Sequence, residues 1–295
     1  MRSRTAYTPR AIGLAAAALL VVMTMPASSS PSEPEKRPVR TTKAFDAEFG
    51  ALPPMLAPAS SYATVAYFPS AKAPGQYLPV PIFSAAPGKQ EYLTVRTVVR
   101  GIDQEEFDRE VALPFPKGSD LLSLVHEGGK TWVRVGGTFR AASLSAKDGQ
   151  RAATSVALTV AQFGSVSPVD LTDARGTVHF AGRAAGARAV DPGSPRALGL
   201  LAVADTKGSA PTVLSVLFDR PVFVEEVSFY PQGAAAPYPG NAYSTAFGMS
   251  VEFRPDPKIA FDPKGRYRVR FTVRDGKGRK ASEDRQWIPK EVVRD

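Results

Sequence analysis

Alternation of apolar and polar residues is clearest near the end of the chain, where it predicts β-strands. In the run RYRVRFTVR at 266–274, every second residue is apolar, and four arginines and one threonine lie between them. Successive side chains of a strand point to opposite faces, so the run predicts one buried face and one face with a column of guanidinium groups. The column consists of Arg266, Arg268, Arg270 and Arg274. A turn at Asp275-Gly276 follows.

Similar short runs fill the rest of the C-terminal third. Each is bounded by Pro, Gly, Asp or Asn, and none shows a helical period. The runs are Val213–Phe218, Val222–Phe229, Ala246–Phe253 and Lys280–Trp287. Several short strands separated by turns favour an all-β sandwich over residues 198–291, and the pattern looks like a bacterial immunoglobulin-like domain.

The preceding part of the chain mixes strand and helix periods. Tyr62–Phe68 and Tyr77–Phe83 are predicted strands, and the prolines within the second favour a short strand or a sheet edge. Lys89–Arg100 fits a helical face and a strand alternation equally well, so both remain open.

A hairpin and a helix are predicted next. Leu121–Val125 and Thr131–Val135 flank Gly128-Gly129, which is a hairpin signal. Ser145–Phe163 repeats apolar residues near the helical period. Two closing strands follow, Val166–Leu171 and Thr177–Phe180. This order of elements predicts an α+β domain with helices packed on a small sheet.

Three segments of this region resemble the GerMN family of sporulation and spore-germination proteins. They are ATVAYFPS at 63–70, LPFPKGSDLLSLVHEGGKTWVRVGGTFRA at 113–141 and ATSVALTVAQFGSVSPVDL at 153–171. The resemblance covers most of residues 60–182 and departs from the family at Gly101-Ile102, where members often carry Gly-Pro. It implies an α+β fold, an envelope setting and no established catalytic set. Similar domains occur in ring-forming structures, which leaves homo-oligomers open.

The first 27 residues have the parts of a secretory signal. Met1–Arg10 carries three arginines, Ala11–Met25 is apolar and uncharged, and small residues follow. We expect a cleaved signal peptide or an uncleaved signal anchor over 1–27, and hence a periplasmic or other extracytoplasmic location. Residues 28–59 are rich in Pro, Ser, Lys and Arg, so we predict a flexible linker there. Residues 183–197 are rich in Gly, Pro and Ala with scattered Arg, which predicts a linker between the two domains.

The amino-acid composition excludes several kinds of catalytic and metal-binding site. The chain has no cysteine and only two histidines, which excludes thiolate metal sites and a cysteine nucleophile. His126 and His179 lack a recognisable nucleophile motif, and the acidic run at 103–110 lacks the ligand order of a calcium loop. Asp170 and Asp173 could be paired acids, but turn-forming roles are commoner. We therefore expect no catalytic residues, no metal and no cofactor.

Charge points to one candidate binding surface. The net charge is +9, and between 254 and 295 we count 13 basic and seven acidic side chains. The arginine column there could meet carboxylates or phosphates of an envelope protein or an anionic cell-wall polymer. The competing interpretation is a solvated sheet face whose arginines block edge association. The signal segment and the lack of interleaved exposed aromatic residues disfavour nucleic acid.

The sequence thus predicts a non-catalytic exported envelope protein that binds a protein or the cell wall. The alternative is an envelope hydrolase acting on peptidoglycan, which would need a cleft with two close acids or a histidine beside a serine. A solute-binding receptor, with a deep pocket between the domains, is the third hypothesis.

Overall fold

The computed structural model describes residues 39–54, 61–102, 107, 110–164, 168–176, 179–206, 209–257, 262 and 264–293. This part of the chain is mostly β, with 16 strands and three α-helices. The first domain contains β1 Arg40–Thr41, α1 Lys43–Phe49, β2 Tyr62–Pro69, β3 Gln76–Ser84, α2 Gln90–Arg100, β4 Ser119–Glu127, β5 Lys130–Gly137, α3 Ala146–Ala161, β6 Val169–Asp173, β7 His179–Gly182 and β8 Arg188–Ala189. The second contains β9 Ala197–Ala204, β10 Val213–Phe218, β11 Phe223–Pro231, β12 Gly240–Ser244, β13 Ser250–Pro255, β14 Tyr267–Arg274, β15 Lys280–Trp287 and β16 Lys290–Val293.

Four sheets organise these strands. In the first domain, sheet A has the order β1-β2-β3-β8 and sheet B the order β4-β5-β6-β7. In the second, sheet C has the order β12-β13-β10-β9-β16 and sheet D the order β11-β14-β15. One apolar core joins sheets A and B to α2 and α3. A separate core lies between sheets C and D, where Phe229 stacks on Phe253 with ring centroids 4.6 Å apart.

Helix α3 satisfies the free edge of β2 with side chains. Strand β1 pairs with β2 only at Tyr62 and Ala63, so the backbone beyond lacks a strand partner on that side. The Tyr67 N–H donates to Thr159 Oγ1 at 3.1 Å, and the Val65 N–H donates to Gln162 Oε1 at 2.9 Å. Gln162 Nε2 in turn donates to the Val65 carbonyl at 2.6 Å. A polar stripe on one helical face thus replaces a neighbouring strand.

Most predicted elements of the first domain are present, and the ambiguous run is settled. Residues 90–100 form α2, which ends at Gly101 with φ 81°. Side chains at 95, 98 and 99 enter the core, so the helical period applies. The predicted hairpin is β4–β5, and its glycines have φ 58° and 71°, which only glycine adopts without strain.

In place of a flexible linker over 28–59, residues 39–54 are ordered. Strand β1 runs parallel to β2, and α1 begins at Thr42, whose Oγ1 accepts from the Phe45 N–H at 3.2 Å. Phe45 and Phe49 are buried against sheet A, on the face away from the main core. Two phenylalanines four residues apart give this seven-residue helix an apolar face that a search for sustained periodicity misses. The remainder of this linker, and the segment 1–27, lie outside the described residues.

The predicted interdomain linker 183–197 contains a short strand. Residues 188–189 form β8 and pair with β3, and the first residue of β9 is Ala197. Backbone carbonyls at 192 and 193 accept hydrogen bonds from the second domain. The strand pairing and these two hydrogen bonds restrict the backbone of the segment. The segment therefore connects the two domains through direct contacts with each of them.

The second domain contains more strands than the sequence indicates. All five predicted runs contribute strands, although the third begins only at Ser250 because 246–248 form a 3-10 turn. Strands β9, β12 and β16 were not predicted. Strand β9, ALGLLAVA, is rich in alanine and leucine rather than in the β-branched and aromatic residues that are enriched in strands. Among the described residues, no helix is long and apolar enough to cross a membrane.

Candidate binding surfaces

The arginine column lies on the solvent side of sheet D, as the alternation predicts. Tyr267, Val269, Phe271 and Val273 are buried in the core between sheets C and D. Arg268, Arg270 and Arg274 lie on the opposite side of β14, with side-chain exposures between 36% and 49%. Arg266 is exposed just before the strand begins. We call these four residues the arginine face.

Aromatic rings of β11 lie beneath the arginine face. The Arg268 guanidinium carbon is 4.4 Å from the centroid of the Tyr230 ring, and that of Arg270 is 5.7 Å from the same centroid. Arg274 lies 4.3 Å from the centroid of Phe223. Such cation–π contacts hold a guanidinium flat on a ring while its N–H edge stays open to other partners.

Carboxylates of the neighbouring strands also reach the arginine face. Asp284 on β15 accepts from Arg270 Nη2 at 2.9 Å and lies 3.6 Å from Arg268 Nε. Glu225 on β11 lies 3.5 Å from Arg274 Nε and accepts from Lys280 Nζ at 3.0 Å. The hydrogen bond to Asp284 raises the pKa of Arg270. These two acids belong to different strands, so the alternation of β14 does not reveal them, and their two negative charges offset at most half of the four positive charges of the column.

A cluster of buried charges joins the two domains. We call Arg196, Asp219, Arg220, Asp275 and Arg279 the junction cluster. The Arg220 side chain is 1% exposed, and it donates to both Asp219 carboxylate oxygens, at 3.0 and 2.8 Å. It also donates to the carbonyl oxygens of residues 193 and 192, at 2.8 and 2.9 Å.

The other members of the junction cluster reach the first domain. Arg279 Nε donates to the fully buried Asp275 at 2.6 Å, and Arg279 Nη2 donates to the Glu48 carbonyl at 2.9 Å. Arg196 donates to Asp219 at 3.1 Å and to Glu110 at 2.5 Å. Burial alone would lower the pKa of Arg196, but these two carboxylates raise it. The charges thus satisfy one another where the two domains are in contact.

His126 has the partners that a catalytic base would need. Its Nε2 lies 3.1 Å from Glu91 Oε2, and its Nδ1 lies 3.0 Å from Thr131 Oγ1. A hydroxyl, an imidazole and a carboxylate in this order are typical of nucleophilic catalysis. However, the Thr131 side chain is 0% exposed, so no substrate can approach its hydroxyl. The contacts therefore fasten the β4–β5 hairpin to α2.

The two candidate acids lie on opposite faces of sheet B. Asp170 faces outward and accepts from Lys130 Nζ at 3.0 Å. Asp173 is buried and accepts from three backbone N–H groups, those of residues 141, 175 and 176. The bond from Ala141 is the main cause that lowers the pKa of Asp173. The two carboxyl groups therefore do not form a catalytic pair.

The remaining candidates are dispersed. Residues 103–106, 108 and 109 of the acidic run lie outside the described residues, and Glu110 pairs with Lys72 and Arg196. Nowhere in the described ranges do three His, Asp or Glu side chains form a group that could hold a metal ion. His179 is exposed on β7, edge-on to Trp132 with ring centroids 6.3 Å apart. Trp132, Leu122 and Val125 are exposed on the outer face of sheet B.

Solved structures that are similar to this chain include GerMN domains. No family model matches the sequence, and no curated protein matches it. The first GerMN domain of the sporulation protein GerM from Bacillus subtilis is 13% identical, with 43% of this chain and 96% of that chain covered and a TM-score of 0.31. The tandem GerMN domains of the same protein are also 13% identical, with 70% and 64% covered and a TM-score of 0.32. Both are domains of the GerMN family, which three segments of the sequence resemble.

Proposed function

We propose that the chain is a non-catalytic, exported envelope protein that works as a binding module. In this proposal the first domain is an α+β domain of GerMN type and the second is an immunoglobulin-like sandwich. Residues 1–27 deliver both across the cytoplasmic membrane and are either removed or kept as an anchor. The basic flank and the apolar run of the first 25 residues support this part of the proposal.

The arginine face is the proposed binding surface. The observation that carries this is the stacking of Arg268, Arg270 and Arg274 on aromatic rings of β11. Stacked guanidinium groups lose little further side-chain entropy on binding, and they keep open N–H donors for a carboxylate or phosphate. An acidic envelope protein or an anionic wall polymer would replace the surface carboxylates that now pair with these arginines. Exposed ion pairs contribute only about 0–1 kcal/mol each, so this exchange costs little.

The hydrolase alternative has less support. Among the described residues, the arrangement closest to a nucleophile, base and acid has a buried nucleophile, and the two candidate acids face opposite sides of a sheet. Hydrolysis requires a reacting atom within about 3 Å of the nucleophile, which burial of Thr131 prevents. We therefore place the function in binding rather than in chemistry.

Envelope pull-down with an arginine-face variant tests the proposal. Arg268→Gln/Arg270→Gln is expected to lose most retention on envelope extract or on an anionic wall polymer, and the difference should shrink as salt rises. The matched control is Arg183→Gln/Arg188→Gln, which removes two arginines from the first domain. Equal retention of both variants at low ionic strength would remove the arginine face from the function.

Export is tested separately. A reporter that is active only outside the cytoplasm, fused after Pro58, is expected to be active. The same fusion lacking residues 2–27 is its control and is expected to be inactive. An inactive full-length fusion, with the protein present in the cytosol, would contradict the proposed location.

A further inference from the structure

A second surface of the sandwich, on the sheet opposite the arginine face, has the features of a ligand site. A groove of about 630 Å³ lies along strands β12 and β13 at one end of sheet C. Ligand sites commonly have volumes of roughly 300–1,000 Å³. Among its lining residues are Asn241, Tyr243, Arg254 and Asp256. This groove is separate from the arginine face, and the inference does not rest on the proposed function.

Strand pairing brings three of these side chains together. Asn241 lies directly opposite Arg254 across the β12–β13 pair, and Tyr243 lies opposite Glu252. Residues two apart share a face of a strand, so Asn241, Tyr243 and Arg254 project from the same face of sheet C. The neighbours between them, Phe253 among these, enter the core instead. The site is therefore built on paired strands rather than on loops.

Glycine at 240 allows the strands to approach closely at the floor of the groove. A Cβ at this position would lie 2.3 Å from the Arg254 carbonyl oxygen and 2.7 Å from the Phe253 ring. Real Cβ atoms do not approach that closely, so any other residue would push β12 away from β13. The groove thus depends on a backbone contact that only glycine permits.

Two side chains of the groove, Arg254 and Tyr243, are open to a ligand. Within the described ranges, the Arg254 guanidinium has neither an ion pair nor a side-chain hydrogen bond, in contrast to Arg268 and Arg270. Tyr243 is 52% exposed, an unusual position for a large aromatic side chain. A free guanidinium fork next to an open ring is suited to a ligand that combines a carboxylate with a flat apolar face.

We infer that this groove binds an acidic glycan, that is, a saccharide whose sugar rings carry a carboxylate. Arg254 holds the carboxylate through two N–H donors, and the Tyr243 ring packs against the apolar face of a sugar ring. The Asn241 amide takes the neutral hydroxyl or acetamido groups, since an amide both donates and accepts. A peptide is a weaker fit because recognition of an extended peptide needs side-chain pockets, whereas the apolar surface here is a single ring.

Calorimetric titration of the full chain tests the inference. The probe is a peptide-free glycan strand of alternating N-acetylglucosamine and N-acetylmuramic acid, in which every second sugar carries a carboxylate. Chitotetraose has the same backbone without the carboxylate, and octaglutamate has carboxylates without sugar. We expect the acidic strand to bind at least about tenfold more tightly than either comparison ligand, since a hydrogen bond to a charged group contributes that much. Equal binding of chitotetraose, preference for octaglutamate, or no binding of the strand would overturn the inference.

Substitutions locate the site. Arg254→Gln and Tyr243→Ala are each expected to weaken binding of the acidic strand about tenfold or more, whereas Tyr243→Phe keeps the ring and should retain most of the affinity. Both side chains are exposed, so these variants should fold. Arg183→Gln, an exposed arginine of the first domain, is the matched control. If Arg268→Gln/Arg270→Gln abolishes glycan binding while Arg254→Gln leaves it intact, the glycan binds at the arginine face and the groove assignment is wrong.

Discussion

Removal of the Arg220 guanidinium should destabilise the second domain far more than removal of an exposed cation. The perturbation is Arg220→Met, which keeps much of the side-chain length and deletes the charge. Arg220 bonds both oxygens of Asp219 and two linker carbonyls, and it lies 3.6 Å from Asp275. Its loss removes the donor to those two carbonyls and leaves each of the two buried carboxylates with one arginine.

The size of the effect follows from burial. Breaking a buried ion pair by removing one partner costs about 3–5 kcal/mol, because the remaining charge stays buried. Arg196 and Arg279 still neutralise part of the two carboxylates, so we expect a value near the lower end. At an m-value of about 2 kcal/mol/M, a loss of about 3 kcal/mol lowers the urea midpoint by about 1.5 M. Lys264→Met is the control, because its pair with Glu291 is exposed and 3.9 Å long, worth about 0–1 kcal/mol.

Two tryptophans allow each domain to be followed separately. Trp132 lies in the first domain and Trp287 in the second, and the chain has no other. In a Trp132→Phe background, fluorescence reports unfolding of the second domain alone. If Arg220→Met shifts this transition no more than Lys264→Met does, the guanidinium does not stabilise the domain and the reasoning from burial is refuted.

Three further changes test other contacts, each by urea unfolding. Gln162→Ala leaves the N–H and C=O of Val65, on the edge of β2, without their side-chain partner. It should lower the free energy of unfolding by about 2 kcal/mol. An unchanged free energy of unfolding would contradict the role of α3 as a substitute strand. Trp287→Phe removes an indole Nε1 that is buried without a hydrogen-bond partner in the described structure, together with part of a ring that packs against the core between sheets C and D. No hydrogen bond is lost, so the change should cost only the lost packing, about 1–2 kcal/mol; a loss above about 3 kcal/mol would show that the N–H stabilises the fold. The folded pKa of Asp173 is below its ordinary 3.8, so its contribution is present at neutral pH and is lost as pH falls through the folded value. Asp173→Asn should therefore make the free energy of unfolding fall less steeply as the pH is lowered. An unchanged dependence on pH in the acid range would show that Asp173 does not contribute to it.

The pattern of apolar and turn residues predicted those elements that are determined by neighbouring residues in the sequence. Gly128-Gly129 specified the β4–β5 turn, and the alternation of β14 specified which of its side chains enter the core. Segments whose order depends on distant residues were missed. Helix α1 has only two large apolar side chains, and their burial requires sheet A beneath them. No property of residues 39–54 alone reports the position of that sheet.

The candidate binding surfaces depend even more on residues that are distant from one another in the sequence. The arginine column was visible from its spacing, but its charge balance depends on Glu225 and Asp284, which are far away in sequence. The junction cluster was not predicted, because arginines and aspartates scattered between 196 and 279 have the same composition whether they are exposed or buried. The groove was missed because β12 carries no strong strand signal, and the register of β12 and β13 is what brings Asn241 opposite Arg254.

The two proposed surfaces have a geometric relation that constrains how the protein could act. Sheets C and D face each other across one core, so their outer faces point in opposite directions. The arginine face lies on the outer side of sheet D, and the groove lies on sheet C. A single short ligand cannot touch both, because a sandwich of two sheets is wider than the roughly 10 Å between them. If both proposals hold, the second domain binds two different partners at once, and a chain with Arg254→Gln should still be retained on an acidic protein while losing the glycan. Loss of both activities from this one substitution would mean that the surfaces are not independent.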